Sequence, residues 1–160
     1  MGQMTDPTNS LLALQDAINK RLFRLERGRI HADLAVYMDE PVQGTKRITY
    51  AKITESGVVK AIAVFVNTEP HNGLPCFQIG YAVATRFCRQ GNGADIVKNS
   101  IDEMINGFRT IMPCFFIEAI VGVSNQASLK IASKHISQTP LEITDEVSGE
   151  PAKQFMRRIG

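Results

Sequence analysis

The sequence predicts a single mixed α/β domain, in which a run of antiparallel strands is followed by alternating helices and strands. Four segments with strand-like alternation of apolar residues follow one another between residues 30 and 84, joined by short links rich in Gly and Pro. Apolar residues then recur at helical spacing over residues 94–108, and a nearly continuous apolar run follows at residues 114–123. Because a helix connects them, the strands before and after it are expected to run parallel in one sheet.

The first half of the chain is expected to hold one helix and four strands. Apolar residues recur at helical spacing over residues 10–27, where Asp6-Pro7 or Asn9-Ser10 supplies the start signal and Gly28 the end. From Ile30 onward the spacing changes to the alternation of a strand, and residues 39–46 are expected to form a loop. The predicted strands cover residues 30–38, 48–54, 58–66 and 76–84.

The second half is expected to alternate helices and strands before it ends in a hairpin. A loop over residues 86–93 leads into a helix at residues 94–108, and the apolar strand at residues 114–123 leads into a second helix at residues 125–135. Residues 136–159 are predicted to form two short strands around the turn Ser148-Gly149-Glu150. Since the chain contains no repeat, linker or low-complexity segment, we expect one domain over residues 1–160.

The composition excludes several classes of protein. The 160 residues are 44% hydrophobic and 21% charged, which is typical of a globular protein and not of a disordered one. No apolar run reaches the roughly 18 residues that a membrane span requires, so no membrane association is expected. The 18 basic and 16 acidic residues give a net charge of +2, which argues against a dedicated nucleic-acid binder.

The N-terminal segment and the cysteines favour a cytoplasmic protein. Residues 1–9 are polar and lack the basic start and apolar core of a secretory signal. Cys76, Cys88 and Cys114 are an odd number, with no CxxC pair and no adjacent set of histidine ligands. We therefore expect reduced thiols, no disulfide framework and no metal.

Gly91 and Gly93 lie in the loop between a predicted strand and a predicted helix. Glycines there let the backbone turn so that successive N–H groups and the first helical turn converge, which is a geometry that binds phosphate oxygens. A purely structural loop with two glycines is the alternative. The two standard nucleotide-binding motifs are absent, because GxGxxG would require Gly at Ile96 and no Gly-Lys-Ser/Thr follows the loop.

A second polar pair lies where the apolar strand at residues 114–123 meets the next helix. Asn125 and Ser128 occupy the first turn of that helix. Taken alone, Asn125 is best explained as the helix N-cap. Together with the glycine loop, the pair is much more specific than either feature by itself.

On these two motifs, the sequence resembles the GNAT superfamily of acyl-CoA-dependent N-acetyltransferases over residues 48–134. The first motif of the family is a strand ending in Val, an aromatic residue and Arg/Gln-x-x-Gly-x-Gly/Ala, and the second is a strand followed by Asn-x-x-Ala/Ser. The matching residues are Val83, Phe87, Gln90, Gly91 and Gly93 for the first motif, and Asn125 and Ser128 for the second. The resemblance implies a mixed, mostly antiparallel central sheet with helices on both faces and a parallel pair of strands that splay apart.

The resemblance also implies that acetyl-CoA binds between the splayed strands as a cosubstrate. The backbone of Ala82, Val83 and Ala84 would pair with the pantetheine arm, which Asn125 and Ser128 would border on the other side. The pyrophosphate would be held by backbone amides. These amides belong to Arg89, Gln90, Gly91, Asn92, Gly93 and Ala94.

By the same resemblance, the acetyl group passes directly to a primary amine without a covalent enzyme intermediate. Glu118, in the apolar strand, lies on the same face as the place where some family members carry a catalytic glutamate, and it is the predicted general base. An ordinary strand residue facing a basic neighbour is the alternative, and His71 and Glu69 are further candidates to reach the acceptor. The tyrosine that protonates the leaving thiolate in many members is replaced by Ala132, so Ser128 or a water is the predicted acid.

The acceptor amine has no recognisable signature and stays open among small molecules, peptides and proteins. A catalytically silent acyl-CoA-binding or regulatory module is a second hypothesis, which Ala132 favours. Toxin-like acetylation of aminoacyl-tRNA is a third, and it requires that the fold bring both ends of the chain together into one basic rim. The arginines of such a rim would be Arg21, Arg24, Arg27, Arg157 and Arg158. The apolar C-terminal strands are a candidate homodimer surface.

Overall fold

The computed structural model describes residues 6–22 and 24–160, and this part of the chain contains three α-helices and eight strands. The helices are α1 (Pro7–Asn19), α2 (Asn92–Phe108) and α3 (Gln126–His135). The strands are β1 (Glu26–Arg27), β2 (Leu34–Val42), β3 (Thr45–Ile53), β4 (Val59–His71), β5 (Leu74–Val83), β6 (Phe115–Gly122), β7 (Leu141–Thr144) and β8 (Pro151–Ile159). A short 3-10 turn at Thr85–Phe87 follows β5.

All eight strands form one sheet in the order β1-β2-β3-β4-β5-β6-β8-β7. Neighbouring strands are antiparallel except β5 and β6, which are parallel because α2 carries the chain across from one to the other. The predicted meander of four antiparallel strands is present as β2 to β5, and β1 extends it at the edge. The predicted fold class, a mixed and mostly antiparallel sheet with one parallel pair, is confirmed.

Helices cover both faces of the sheet, and strand β4 shows this most clearly. Its residues 61, 63 and 65 pack in one buried cluster with α2, whereas residues 62, 64 and 66 pack in another with Leu11 and Leu14 of α1. This is the alternation that the pleat of a strand imposes. Ala132 of α3 belongs to the first cluster. We call the two sides the α2 face and the α1 face.

The first helix is shorter than predicted. It begins as the Asp6-Pro7 signal indicates, because the Asp6 carboxylate accepts a hydrogen bond from the amide of Thr8 at 2.8 Å. It ends at Asn19 instead of residue 27. The predicted helix also included Phe23, which lies outside the described residues, as do residues 1–5 of the N-terminal segment.

Contacts with distant parts of the chain replace the end of the predicted helix. Residues 26 and 27 form β1 on the edge of β2, so Gly28 does not end a helix. The amides of residues 29, 30 and 31 donate to the Glu103 carboxylate of α2 at 3.0, 2.6 and 2.6 Å. Because of this turn, β2 begins at Leu34 and not at Ile30 as predicted. It then continues to Val42, through the first part of the loop predicted at residues 39–46. Helical periodicity is a local signal and does not register a carboxylate 72 residues away.

The other elements lie near their predicted positions, but β3 begins three residues earlier than predicted, β4 ends five residues later, and the last strand differs. The last strand is not short: it has nine residues and pairs with β6 from Phe115 to Gly122. This pairing gives β6 an antiparallel neighbour on one side and its parallel neighbour on the other. None of the helices within residues 6–22 and 24–160 is long and apolar enough to cross a membrane.

Candidate functional site

Strands β5 and β6 separate at one end and open a wedge in the sheet. The two strands pair at three positions: residue 76 lies opposite 116, residue 77 opposite 117, and residue 78 opposite 118. Beyond that point β5 stays paired with β4 as far as Val83, and β6 stays paired with β8 as far as Gly122. Within the described residues, the strand pairing does not continue between residues 79–83 of β5 and residues 119–122 of β6. The backbone edges of these two segments therefore face the wedge. The predicted splayed pair is confirmed, and Ala82, Val83 and Ala84 lie at the end of its β5 side.

The loop after β5 presents a run of backbone amides at the open end of the wedge. Among the described residues, none of the backbone N–H groups of residues 89–94 has a hydrogen-bond acceptor, and the first such bond runs from Asp95 to the carbonyl of Gly91 at 3.0 Å. Gly91 is the N-cap residue of α2 at a left-handed φ of 80°, and it provides no side-chain acceptor. Because α2 has 17 residues, these amides also carry the positive end of a long helix dipole. Such a cluster can bind phosphate oxygens.

Hydrogen bonds fix the shape of this loop. Asn92 is only 5% exposed and donates from Nδ2 to the carbonyl oxygen of Phe87 at 3.0 Å. The amide of Phe87 donates to the carbonyl of Ala84 at 2.8 Å, and the amide of Ala84 donates to Lys60 of β4 at 2.9 Å. The loop is therefore tied to the central strands, and its open amides are held in one arrangement.

The start of α3 lies at the end of the other strand of the wedge. Asn125 caps the helix, since its Oδ1 accepts from the amide of Ser128 at 3.1 Å, as the capping interpretation predicts. Tyr81 of β5 reaches across to this turn and donates from its hydroxyl to the carbonyl of Ser128 at 2.9 Å. Burial raises the pKa of Tyr81 to about 12, so the hydroxyl stays a neutral donor near pH 7. Tyr81 thus connects the two sides of the wedge on the α2 face.

Glu118 lies at the vertex of the wedge on the α1 face. It occupies the last position of the parallel ladder, opposite Gln78. Its Oε2 accepts a hydrogen bond from Nε2 of Gln154 on β8 at 2.6 Å, so its partner is an amide and not the basic neighbour of the ordinary alternative. Cys76 lies nearby, where burial raises the pKa of the thiol and the charge of Glu118 adds to the effect.

The remaining catalytic candidates lie at different distances from this vertex. The ring of His71 contacts Phe116 edge-on, with 4.7 Å between ring centroids, and Phe116 precedes Glu118 by two residues on the same face. Glu69 is exposed at the end of β4. Ala132 is fully buried on the α2 face and brings no hydroxyl to the wedge.

The basic rim is not assembled by this sheet. Arg27 lies on the edge strand β1, whereas Arg157 and Arg158 lie on β8. Six strand spacings separate the two strands in the sheet order, which amounts to about 28 Å.

A cavity of about 350 Å³ lies away from the wedge, between α1 and strands β2 to β4. Its polar side includes Thr49 and Arg47, and the Arg47 guanidinium forms an ion pair with Asp39. The hydrogen bond to Asp39 raises the pKa of Arg47 above its ordinary value. No predicted site residue lines this cavity.

Two residues beside the wedge were not predicted as site residues. Tyr81 is two residues before Val83 in the motif strand, so the strand alternation places it on the α2 face and could have identified it. Gln154 has no such signal, because its contact with Glu118 depends on the pairing of β8 with β6 across 36 residues. Within the described part of the chain, no group of three or more His, Cys, Asp or Glu side chains is placed to hold a metal ion.

Comparison with known proteins identifies the fold. No family model matches the chain, and no curated protein matches its sequence. Among solved structures, the acetyltransferase of the GNAT family from Streptococcus pneumoniae matches with a TM-score of 0.54 and 11% identity, over 99% of this chain and 98% of that one. The ribosomal-protein-S5-alanine acetyltransferase from Vibrio fischeri matches with a TM-score of 0.51 and 11% identity, over 71% of this chain and 61% of that one. The NatC complex bound to Gag peptide and CoA matches with a TM-score of 0.52 and 16% identity, over 70% and 71%. At these identities the likeness establishes the fold alone.

Proposed function

We propose that this chain, which has the fold of GNAT-family acetyltransferases, transfers acetyl from acetyl-CoA to a primary amine. The observation that carries the proposal is the run of open amides at residues 89–94, at the mouth of a wedge between two parallel strands. The first N–H groups of any helix lack an intrahelical partner, and here the loop adds those of residues 89–91 and provides no side-chain acceptor. A ligand with phosphate oxygens would satisfy them.

The wedge and the loop suit the two halves of acetyl-CoA. The pyrophosphate would lie against the amides of residues 89–94, which need no charged side chain to bind it. The pantetheine arm carries amide groups that would pair with the unpaired edge at Ala82, Val83 and Ala84, in the way that an added strand does. Asn125 and Ser128 would border the arm from the start of α3. The NatC complex, which has this fold, contains CoA in its structure.

The proposed chemistry is a direct attack on the thioester. The amine nitrogen forms a bond to the acetyl carbon, the carbon–sulfur bond breaks, and the nitrogen gives up one proton. Glu118 is the proposed base, since it lies at the vertex of the wedge with one oxygen held by Gln154. The thiolate that leaves takes a proton from Ser128 or from water. Backbone amides beside the wedge would stabilise the oxyanion that develops on the acetyl oxygen.

A silent acyl-CoA-binding or regulatory module is the second candidate. The fully buried Ala132 favours it, because the position that carries a tyrosine acid in many relatives has no donor in this chain. Toxin-like acetylation of aminoacyl-tRNA loses its support, since Arg27 lies far from Arg157 and Arg158 in the sheet. The identity of the amine, a cytoplasmic location and a homodimer remain predictions.

The binding half of the proposal is tested by Gly91→Glu. Isothermal titration calorimetry with acetyl-CoA should show binding to the original chain and a loss of at least about 100-fold in affinity for Gly91→Glu, because the new carboxylate repels the pyrophosphate. Gly149→Glu is the matched control, since Gly149 also has a positive φ, 74°, with open space around its Cβ position, in the turn before β8. Undiminished binding by Gly91→Glu would refute the assignment of this loop.

The catalytic half is tested by turnover. Release of free CoA from acetyl-CoA, measured with a thiol reagent against a panel of primary amines, should depend on the amine and fall at least about 100-fold in Glu118→Gln. Coenzyme affinity should stay unchanged in that variant. Tight coenzyme binding with no amine-dependent release of CoA would instead support the silent module.

A further inference from the structure

Two cations lie over a single aromatic ring beside the open amides. Lys60 Nζ is 5.0 Å from the centroid of the Phe87 ring, and the guanidinium carbon of Arg86 is 4.9 Å from the same centroid. The two cationic groups are therefore at most about 10 Å apart, which is close to the Debye length at physiological ionic strength. At this separation in water their mutual repulsion is weak, and a cation–π contact, which contributes roughly 0.5–1 kcal/mol at exposed sites, is enough to hold each cation beside the ring.

No acidic side chain balances this pair. The ion pairs within residues 6–22 and 24–160 involve Lys20, His31, Arg47 and Lys98, so neither Lys60 nor Arg86 has a carboxylate partner there. Arg47, by contrast, is neutralised by the carboxylate of Asp39. Two cationic side chains that lie close together without a carboxylate partner create a positive potential that favours binding of an anion.

The backbone fixes this pair next to the loop. The carbonyl of Lys60 accepts from the amide of Ala84 at 2.9 Å, and the carbonyl of Phe87 accepts from Nδ2 of Asn92 at 3.0 Å. Phe87 precedes the first open amide, that of Arg89, by two residues. The two cationic groups therefore lie beside the start of the loop that carries the open amides.

We propose that Lys60 and Arg86 form a subsite for a phosphate monoester, which in acyl-CoA binding takes the 3′-phosphate of the ribose. A phosphate monoester carries a charge of about −1.5 to −2 at neutral pH, which two cations match better than amides alone do. Arginine provides a two-pronged donor for such a group, and lysine provides a mobile point charge. This inference rests on the proposed function, because it needs the pyrophosphate of the same molecule to lie at residues 89–94.

The subsite predicts discrimination between two ligands that differ by one phosphate. Calorimetry with the full chain should show CoA binding at least about tenfold more tightly than 3′-dephospho-CoA. Arg86→Gln and Lys60→Gln should each weaken CoA binding about three- to tenfold and leave the affinity for 3′-dephospho-CoA unchanged. That unchanged affinity also demonstrates that each variant folds.

The matched control is Arg109→Gln, which removes an exposed arginine at the far end of α2, about 25 Å from the loop. It should bind both ligands as the original chain does. Equal affinity of the original chain for CoA and 3′-dephospho-CoA would overturn the subsite and leave the proposed function standing. An equal loss for both ligands in Arg86→Gln would do the same. Failure of the original chain to bind either ligand would overturn both proposals.

Discussion

Two runs of backbone amides lie next to α2, and they differ in whether their N–H groups have hydrogen-bond acceptors. The amides of residues 29, 30 and 31 converge on the Glu103 carboxylate, which is 7% exposed, at 3.0, 2.6 and 2.6 Å. The amides of residues 89–94, at the start of the same helix, have no acceptor in the described part of the chain. A side chain of α2 therefore closes the amide run of residues 29–31, whereas the amide run at the start of α2 is open at the wedge.

The proposed function explains this difference. Residues 29–31 receive their acceptor from the chain itself, in the Glu103 carboxylate. The loop of residues 89–94 is fixed by Asn92, and the proposal gives its amides their acceptor in a bound phosphate. The predictions below test each side of this contrast.

The largest effect is expected at the closed run. Glu103→Ala removes the acceptor of three amides and should lower the free energy of unfolding by about 3 kcal/mol or more, because three hydrogen bonds to a charged group are lost and such bonds are strong. Glu103→Gln, which retains one acceptor oxygen, should lose less. Urea denaturation followed by circular dichroism measures both. A loss below about 1 kcal/mol in Glu103→Ala would show that the turn does not depend on this carboxylate.

A smaller effect on stability is expected when one methyl group is added beside the closed run, at Gly28, or within the open run, at Gly91. At Gly28 a Cβ would lie 2.5 Å from the carbonyl oxygen of His31 and 2.7 Å from Oε1 of Glu103, so Gly28→Ala should cost about 2–3 kcal/mol. At Gly91 the Cβ meets nothing within 4 Å and only the φ of 80° opposes it, so Gly91→Ala should cost about 1 kcal/mol. Denaturation midpoints of the two variants compare them directly. Equal costs would contradict the picture of one closed and one open run.

The same contrast explains what could be predicted from the sequence. The glycine loop and the start of α3 could be predicted because their signals are local: Gly91 and Gly93 before a helix, and Asn125 at a cap. The splay of β5 and β6 was implied only by the family resemblance. The closed run could not, because Glu103 is far from residues 29–31 along the chain. A helical pattern continued through residues 20–27, and no local signal showed that these residues would instead lead into an edge strand.

Long-range pairing also limited the prediction of the site. Glu118 could be placed on its strand, but its hydrogen bond to Gln154 follows from the register of β6 against β8. The last strand, β8, is longer than the short strand predicted after the turn at residues 148–150. All nine residues of β8 form a strand because β6 pairs with it over residues 115–122.

The smallest effect concerns the tyrosine that spans the wedge. Burial raises the pKa of Tyr81 to about 12, so above pH 10 the unfolded chain loses this proton while the folded chain keeps it. Its contribution to stability is fully present below pH 10 and is lost as the pH rises through 12. Between pH 9 and pH 11, the free energy of unfolding should therefore fall by about 1 kcal/mol less in Tyr81→Phe than in the original chain.

The measurement is urea denaturation at pH 9 and pH 11. Tyr50, whose pKa burial also raises, stays in both proteins and contributes the same alkaline loss to each. Identical losses in the two proteins would mean that Tyr81 is not buried in the wedge. A smaller loss in Tyr81→Phe would indicate that the wedge is formed in advance.

The most direct test of the account is an amide titration by nuclear magnetic resonance. Saturating CoA should shift the ¹H and ¹⁵N resonances of residues 89–94, because their N–H groups gain phosphate acceptors. The resonances of residues 29–31 should stay in place, since Glu103 already satisfies them. Shifts confined to the open run would support the central claim. Unchanged resonances at residues 89–94 in the presence of saturating CoA would contradict it.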